Sequence, residues 1–207
     1  MLRRWWIACV LGEAIAVLVV TLVGVLVSRT VPEGSLVHPL SMPLTGALEG
    51  AIVGLAQGWA LRPYGLSVRR FTLATSLAFA LAWVGGAALS LLEPEAPPTF
   101  GLLLVAAGLA GVVVGALAGA AQVWTPLRDE PEARLVWIVA SAAGWGAGMV
   151  ASAVASDVIW GAFSLAVLGM ETGKGAVVGA LVAAVTGPLA KGTFSRDAFS
   201  ETSARAA

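Results

Sequence analysis

The chain has 207 residues, 58% hydrophobic and 12% charged, with a mean hydropathy of +0.91 and a formal net charge of zero. A soluble domain carries about a quarter charged residues, so these values exclude an ordinary globular fold and point to a polytopic membrane protein. No basic patch suits nucleic acid. The single cysteine, Cys9, cannot form an internal disulfide, and the single histidine, His38, cannot build a histidine metal site. No metal or cofactor is expected.

In chain order, the first helix is expected over about Trp5–Ser28. Arg3 and Arg4 precede it as in a secretory leader, but its apolar run is long enough to cross a ~30 Å hydrocarbon core, so it reads as a retained span. Pro32, Pro39 and Pro43 mark a loop over Arg29–Met42. The second helix, Pro43–Leu61, carries Gly46, Gly50, Gly54 and Gly58 at spacings of four and closes with Gln57, Trp59, Leu61 and Arg62. Residues four apart share a helix face, so these glycines form a bare groove in which a neighbouring helix can seat.

The turn Arg62-Pro63-Tyr64-Gly65 leads to a third helix over Arg70–Leu92, then to the acidic loop around Glu93 and Glu95. The fourth helix, Thr99–Trp124, repeats the glycine pattern at Gly111, Gly115 and Gly119 and ends in Gln122-Val123-Trp124. The fifth, Arg134–Ala155, has a shorter seam at Gly144 and Gly148. The stretch 156–169 is apolar but short for a span, and reads as a re-entrant or interfacial helix. The sixth, Thr172–Ala190, carries Gly175 and Gly179.

The fold class expected is therefore all-α, six transmembrane helices. Gln57-x-Trp59 and Gln122-x-Trp124 divide it into three tandem hairpins, 1–65, 66–131 and a degenerate 132–191, followed by a tail over 192–207. In the third copy Gly175 falls on Gly111 and Thr186 on the glutamine. Ten of the twelve cations fall at one end of this scheme, with only Arg29 and Lys174 at the other, which places both termini in the cytoplasm. Trp5, Trp6, Trp59, Trp124 and Trp137 fall near that inner end, as an interfacial belt would.

The pattern G-x-x-x-G-x-x-Q-x-W-x-L-R, followed by the Trp/Gly-rich run Ala143–Gly148, resembles a family of uncharacterised prokaryotic multi-pass membrane proteins. The resemblance covers helices two to five and implies a prokaryotic inner-membrane location; it carries no assigned activity. The second copy departs from the pattern, with Pro126 ahead of Leu127-Arg128.

Two carboxylates lie inside spans, where each costs about 2.5–3.5 kcal/mol on insertion scales. Glu13 is about 12 Å along its helix from Trp5 and Glu49 about 20 Å from Arg62. Adjacent antiparallel helices would bring them close, either as a proton or cation site or as polar contacts that fix helix packing. Gln57 and Gln122 are expected to hydrogen-bond across helices. Trp83 and Trp145 read as packing residues, and Asp157, Glu171 and Lys174 as solvated charges near the outer surface.

Met170–Gly175 only imitates a phosphate loop: the spacing from Gly169 is one residue short, and Gly175 stands where a Ser or Thr would hold Mg²⁺. No motif for hydrolysis, zinc or haem is present, so an enzyme is not expected. Two readings remain. One is a non-catalytic structural, assembly or accessory subunit that packs through glycine faces against lipid, a second copy or a membrane-complex partner. The other is a small transporter or channel using Glu13 and Glu49.

Overall fold

A computed structural model describes residues 1–32, 35–90, 99–124, 131–156 and 165–193. The expectations for the acidic loop at Glu93 and Glu95, for Arg128 and Asp157, and for the tail beyond Thr193 lie outside these residues.

Six long helices follow one another: α1 Leu2–Thr30, α2 Val37–Leu61, α3 Val68–Ser90, α4 Phe100–Val123, α5 Pro131–Ser156 and α6 Leu165–Thr193. Each is long and apolar enough to span a membrane. Their outward surfaces remain apolar, with Leu26, Leu40, Leu44, Leu77, Leu109 and Leu135 all more than half exposed. Such a surface suits hydrocarbon and not water. The chain is a multi-pass membrane protein in its architecture.

Two boundaries differ from the sequence expectation. The loop before α2 is short, because the helix starts at Val37 and runs through both Pro39 and Pro43. Pro39 falls in the first turn, where its missing N–H has no intrahelical partner to lose. On either side of Pro43 hydroxyls add bonds to helix carbonyls: Ser41 Oγ donates to His38 O at 2.8 Å and Thr45 Oγ1 to Ser41 O at 3.1 Å. The second difference is α6, which begins seven residues before Thr172, so 165–169 belong to a span. The rest of the expected re-entrant stretch lies outside the described residues.

The ends of the other helices follow from local chemistry. Thr99 caps α4, its hydroxyl accepting from Leu102 N at 3.3 Å. A single 3₁₀ turn, Arg62–Tyr64, closes α2, and Gly65 at φ 89° reverses the chain in a left-handed conformation that glycine adopts at no steric cost.

Each helix touches its chain neighbours, and α6 touches α1, so the bundle closes on itself. The most extensive contacts are α2 with α3, α4 with α5, and α6 with α1. One arrangement recurs at all three. A Cβ on Gly50 would stand 2.7 Å from Thr75 O. A Cβ on Gly115 would collide with Ser141 O, and one on Gly179 with Cys9 O. Gly46, Gly111 and Gly175 repeat this one turn away, against Trp83, Trp145 O and Glu13 O respectively. Gly54 faces Thr72 and Thr75, and Gly119 faces Ile138 and Ser141, at 2.9–3.1 Å. Gly58 is the loosest, since a Cβ there would meet Val68 Cα at an ordinary 3.4 Å. Backbone lies directly on backbone along these lines, which maximises dispersion contact where lipid offers no hydrophobic drive.

Gly144 and Gly148 face the opposite way, on α5 towards α6, against Val182 Cα at 3.1 Å and Val178 Cγ1 at 2.9 Å. Other glycines meet nothing: Gly24, Gly85 and Gly101 have open space where a Cβ would be.

Candidate functional site

Because backbones approach so closely along the glycine lines, small polar side chains beside them are driven into the bundle's interior. Cys9, Thr75 and Ser141, on α1, α3 and α5 and spaced by 66 residues, are all buried. So are Gln57, Gln122 and Thr186, on the three facing helices. A polar group buried this deeply needs a partner; Cys9, Gln57, Thr75 and Gln122 find one another, and Thr186 bonds to Trp5.

Gln122 is the hub. Its Nε2 donates to Gln57 Oε1 at 3.1 Å and to Thr75 Oγ1 at 3.2 Å, while its Oε1 accepts from Trp137 Nε1 at 3.1 Å. Gln57 Nε2 in turn donates to Cys9 Sγ at 3.6 Å. Thr75 Oγ1 donates to Phe71 O at 2.9 Å within its own helix. Five helices, α1 to α5, are therefore joined through one connected set of side chains. The sixth enters by a parallel bond, Trp5 Nε1 to Thr186 Oγ1 at 3.0 Å, with Thr186 Oγ1 donating to Val182 O at 2.6 Å. The indoles of Trp5 and Trp137 pack edge to face, with centroids 5.6 Å apart, and bring the two sets together.

This corrects the expectation for two tryptophans. Trp5 and Trp137 are 1% exposed and do not belong to an interfacial belt, because their N–H groups are taken by Thr186 and Gln122 inside the bundle. Trp59 and Trp124 are the ones that face outward, at 55% and 74% exposure. Sequence reasoning passed over Cys9, Thr75, Trp5 and Trp137 as network members. The signal was there in the 66-residue spacing of Trp5, Phe71 and Trp137, and of Cys9, Thr75 and Ser141.

The two intramembrane carboxylates behave differently from the glutamines. Glu13 is 1% exposed and neither oxygen has a hydrogen-bond partner. Glu49, on α2, is half-buried, and its Oε2 accepts from Trp83 Nε1 at 2.7 Å. No hydrogen bond joins the two carboxyl groups. Trp83 thus serves both packing over Gly46 and bonding to Glu49, while Trp145 packs edge to face on Phe79 with centroids 5.0 Å apart.

The expected solvated charges near the outer end also need correction. Lys174 is only 7% exposed and Glu171 lies on the same helix, their Nζ–Oε1 distance being 2.6 Å. Both belong to α6, whose early start at Leu165 carries them into the packed bundle. Lys174 lines a small cavity of about 360 Å³ between α5 and α6, with Ser152 and Met170. A second cavity, of about 950 Å³, opens between α1 and α2 and is apolar except at Arg62 and Ser67. Neither is lined by Glu13, Glu49, Gln57 or Gln122. Among the described residues no three His, Cys, Asp or Glu side chains gather as a metal ion would require.

No family model, curated protein or solved structure matches this chain.

Proposed function

We propose that this protein is a non-catalytic integral membrane subunit, structural or accessory, that serves as a rigid packing unit in a larger membrane assembly or with its own copies. The observation that carries this reading is the hydrogen-bonded set around Gln122. Its amide groups are committed to Gln57, Thr75 and Trp137, so the polar side chains that a solute path would need are spent on joining helices. Buried networks of this kind fix one arrangement of a core when every member is satisfied.

The charge distribution supports an inner-membrane location in a prokaryotic cell with both termini cytoplasmic, as does the resemblance carried by the two G-x-x-x-G-x-x-Q-x-W helices. The recurrence of glycine-under-carbonyl contacts at Gly50, Gly115 and Gly179 supports three tandem repeat units arranged around a pseudo-threefold axis, with glycine-zipper faces between units.

The test is purification in mild detergent followed by cross-linking in native membranes. The expected result is a defined second copy or a second membrane protein travelling with the chain. A monomer that travels alone and conducts protons or cations in liposomes, with the flux lost in Glu13→Gln, overturns the reading. That outcome is the second reading, a small transporter or channel, and the unpartnered carboxyl of Glu13 is the observation that favours it.

A further inference from the structure

The larger cavity is not part of the polar core and has its own logic. It runs along the outside of the bundle, between α1 and α2, and opens towards lipid. Leu11 and Ile15 form one wall, Ile52 and Leu55 the other. The helices are held close at its floor, where a Cβ on Gly12 would lie 3.0 Å from Ala56 Cβ, and long side chains splay on either side. At one end the 3₁₀ turn after α2 closes it, and there Arg62 enters the lining beside Trp59. The groove is thus apolar along its length and cationic at one tip.

The electrostatics at that tip are one-sided. The guanidinium of Arg62 makes no hydrogen bond or ion pair among the described residues. Arg69 and Arg70 open α3 at the same end of the bundle, and Arg3 and Arg4 open α1 there. The acids on α1, α2 and α3 among the described residues are Glu13 and Glu49, both inside their spans. Glu132 in the first turn of α5 is a further described acid, but no ion pair joins it to Arg62, and a guanidinium with five donors and no ion-pair partner among the described residues suits a phosphate.

We propose that the α1/α2 groove is a binding site for one anionic phospholipid, its acyl chains lying against Leu11, Ile15, Ile52 and Leu55 and its phosphate on Arg62. A free phosphate does not use the apolar walls, and a zwitterionic lipid brings the same phosphate but also an ammonium that the surrounding arginines repel, so the two ends of the groove together favour an anionic phospholipid. Trp59, half exposed at the tip, stands at the depth where indoles favour the headgroup boundary.

Native mass spectrometry of the full chain, released from nanodiscs of mixed phosphatidylglycerol and phosphatidylcholine, tests this directly. One phosphatidylglycerol is expected to stay bound in preference to phosphatidylcholine, and inorganic phosphate is expected not to displace it. Arg62→Gln should cut the preference by about fivefold, the worth of one cation beside an anionic lipid. Leu11→Trp, at a lipid-facing position that is 54% exposed, should reduce retention of both lipids by obstructing the groove. Arg70→Gln, which adds to the field around the tip but does not line the groove, should cost clearly less than Arg62→Gln. Equal losses from Arg62→Gln and Arg70→Gln would mean diffuse attraction to a basic surface and overturn the site. So would an unchanged preference in Arg62→Gln, full retention in Leu11→Trp, or displacement by phosphate.

Discussion

The glutamine hub and the Glu13 carboxyl are both polar and both inside the membrane-spanning bundle, yet they are organised in opposite ways. Around Gln122 each amide group meets a donor or acceptor on another helix. At Glu13, a few residues along α1 from Cys9, both oxygens are buried and meet nothing. In hydrocarbon the first arrangement removes a penalty and the second retains one. The contrast teaches that intramembrane polarity is not one property. A partnered amide is architecture, and an unpartnered carboxyl is a cost that the rest of the bundle must offset.

Substitutions break the comparison in order of size. The largest effect is expected where neither cluster is touched but their scaffold is. Gly115→Leu places a branched side chain where even a Cβ would collide with Ser141 O, and the α4–α5 line cannot relax without separating backbones. Overpacking in a close-packed core costs about 1–3 kcal/mol and more where backbone is the obstacle. Size-exclusion profiles in detergent should show loss of the monodisperse species.

Next is Gln122→Leu, which leaves Gln57, Thr75 and Trp137 short of a partner. An orphaned buried polar group costs about 1–3 kcal/mol, so the thermal midpoint in detergent should fall clearly. Glu13→Leu sharpens the contrast because its expected sign is opposite. It removes a carboxyl worth about 2.5–3.5 kcal/mol of insertion cost and breaks no hydrogen bond, so the midpoint should hold or rise. A fall would mean that Glu13 has a stabilising partner and that the two clusters are alike. The smallest effect belongs to Gly85→Ala, where a Cβ meets open space. Helix propensity alone should then stabilise by at most about 1 kcal/mol, read in the same melt.

Much of this fold is legible in the sequence, since apolar length and four-residue glycine spacing are local properties. Six spans follow from them, and the start of α4 follows from Thr99. What is not legible is non-local or compensated. Nothing near Gly179 in sequence says that it faces Cys9, because the two are brought together only when the last helix reaches the first. Pro43 reads as a breaker by its own chemistry, and that the helix runs on through it is set by the packing of α2 against α1 and α3, which no local pattern announces. For the site, the glutamines are visible as rare polar residues in apolar spans. Their partners Thr75 and Trp137 are not, because threonine and tryptophan are unremarkable in a membrane helix until the 66-residue spacing is noticed. Lys174 is misread together with the start of α6, because the polar run Glu171-Thr172-Gly173-Lys174 looks like a break between a short apolar stretch and a span when it lies inside one helix.

The contact between α6 and α1 also sets a timetable. Ribosomes deliver the spans in order, and at about 5–20 residues per second the last one emerges on the order of ten seconds after the first. Throughout that interval α1 waits in the bilayer with the surface meant for Gly175 and Gly179 uncovered, its Trp5 indole and the backbone carbonyls of Cys9 and Glu13 facing whatever is nearby. Closure of the ring therefore waits for α6, and a nascent chain halted before α6 should be the form that insertion machinery or proteolysis recognises as unfinished.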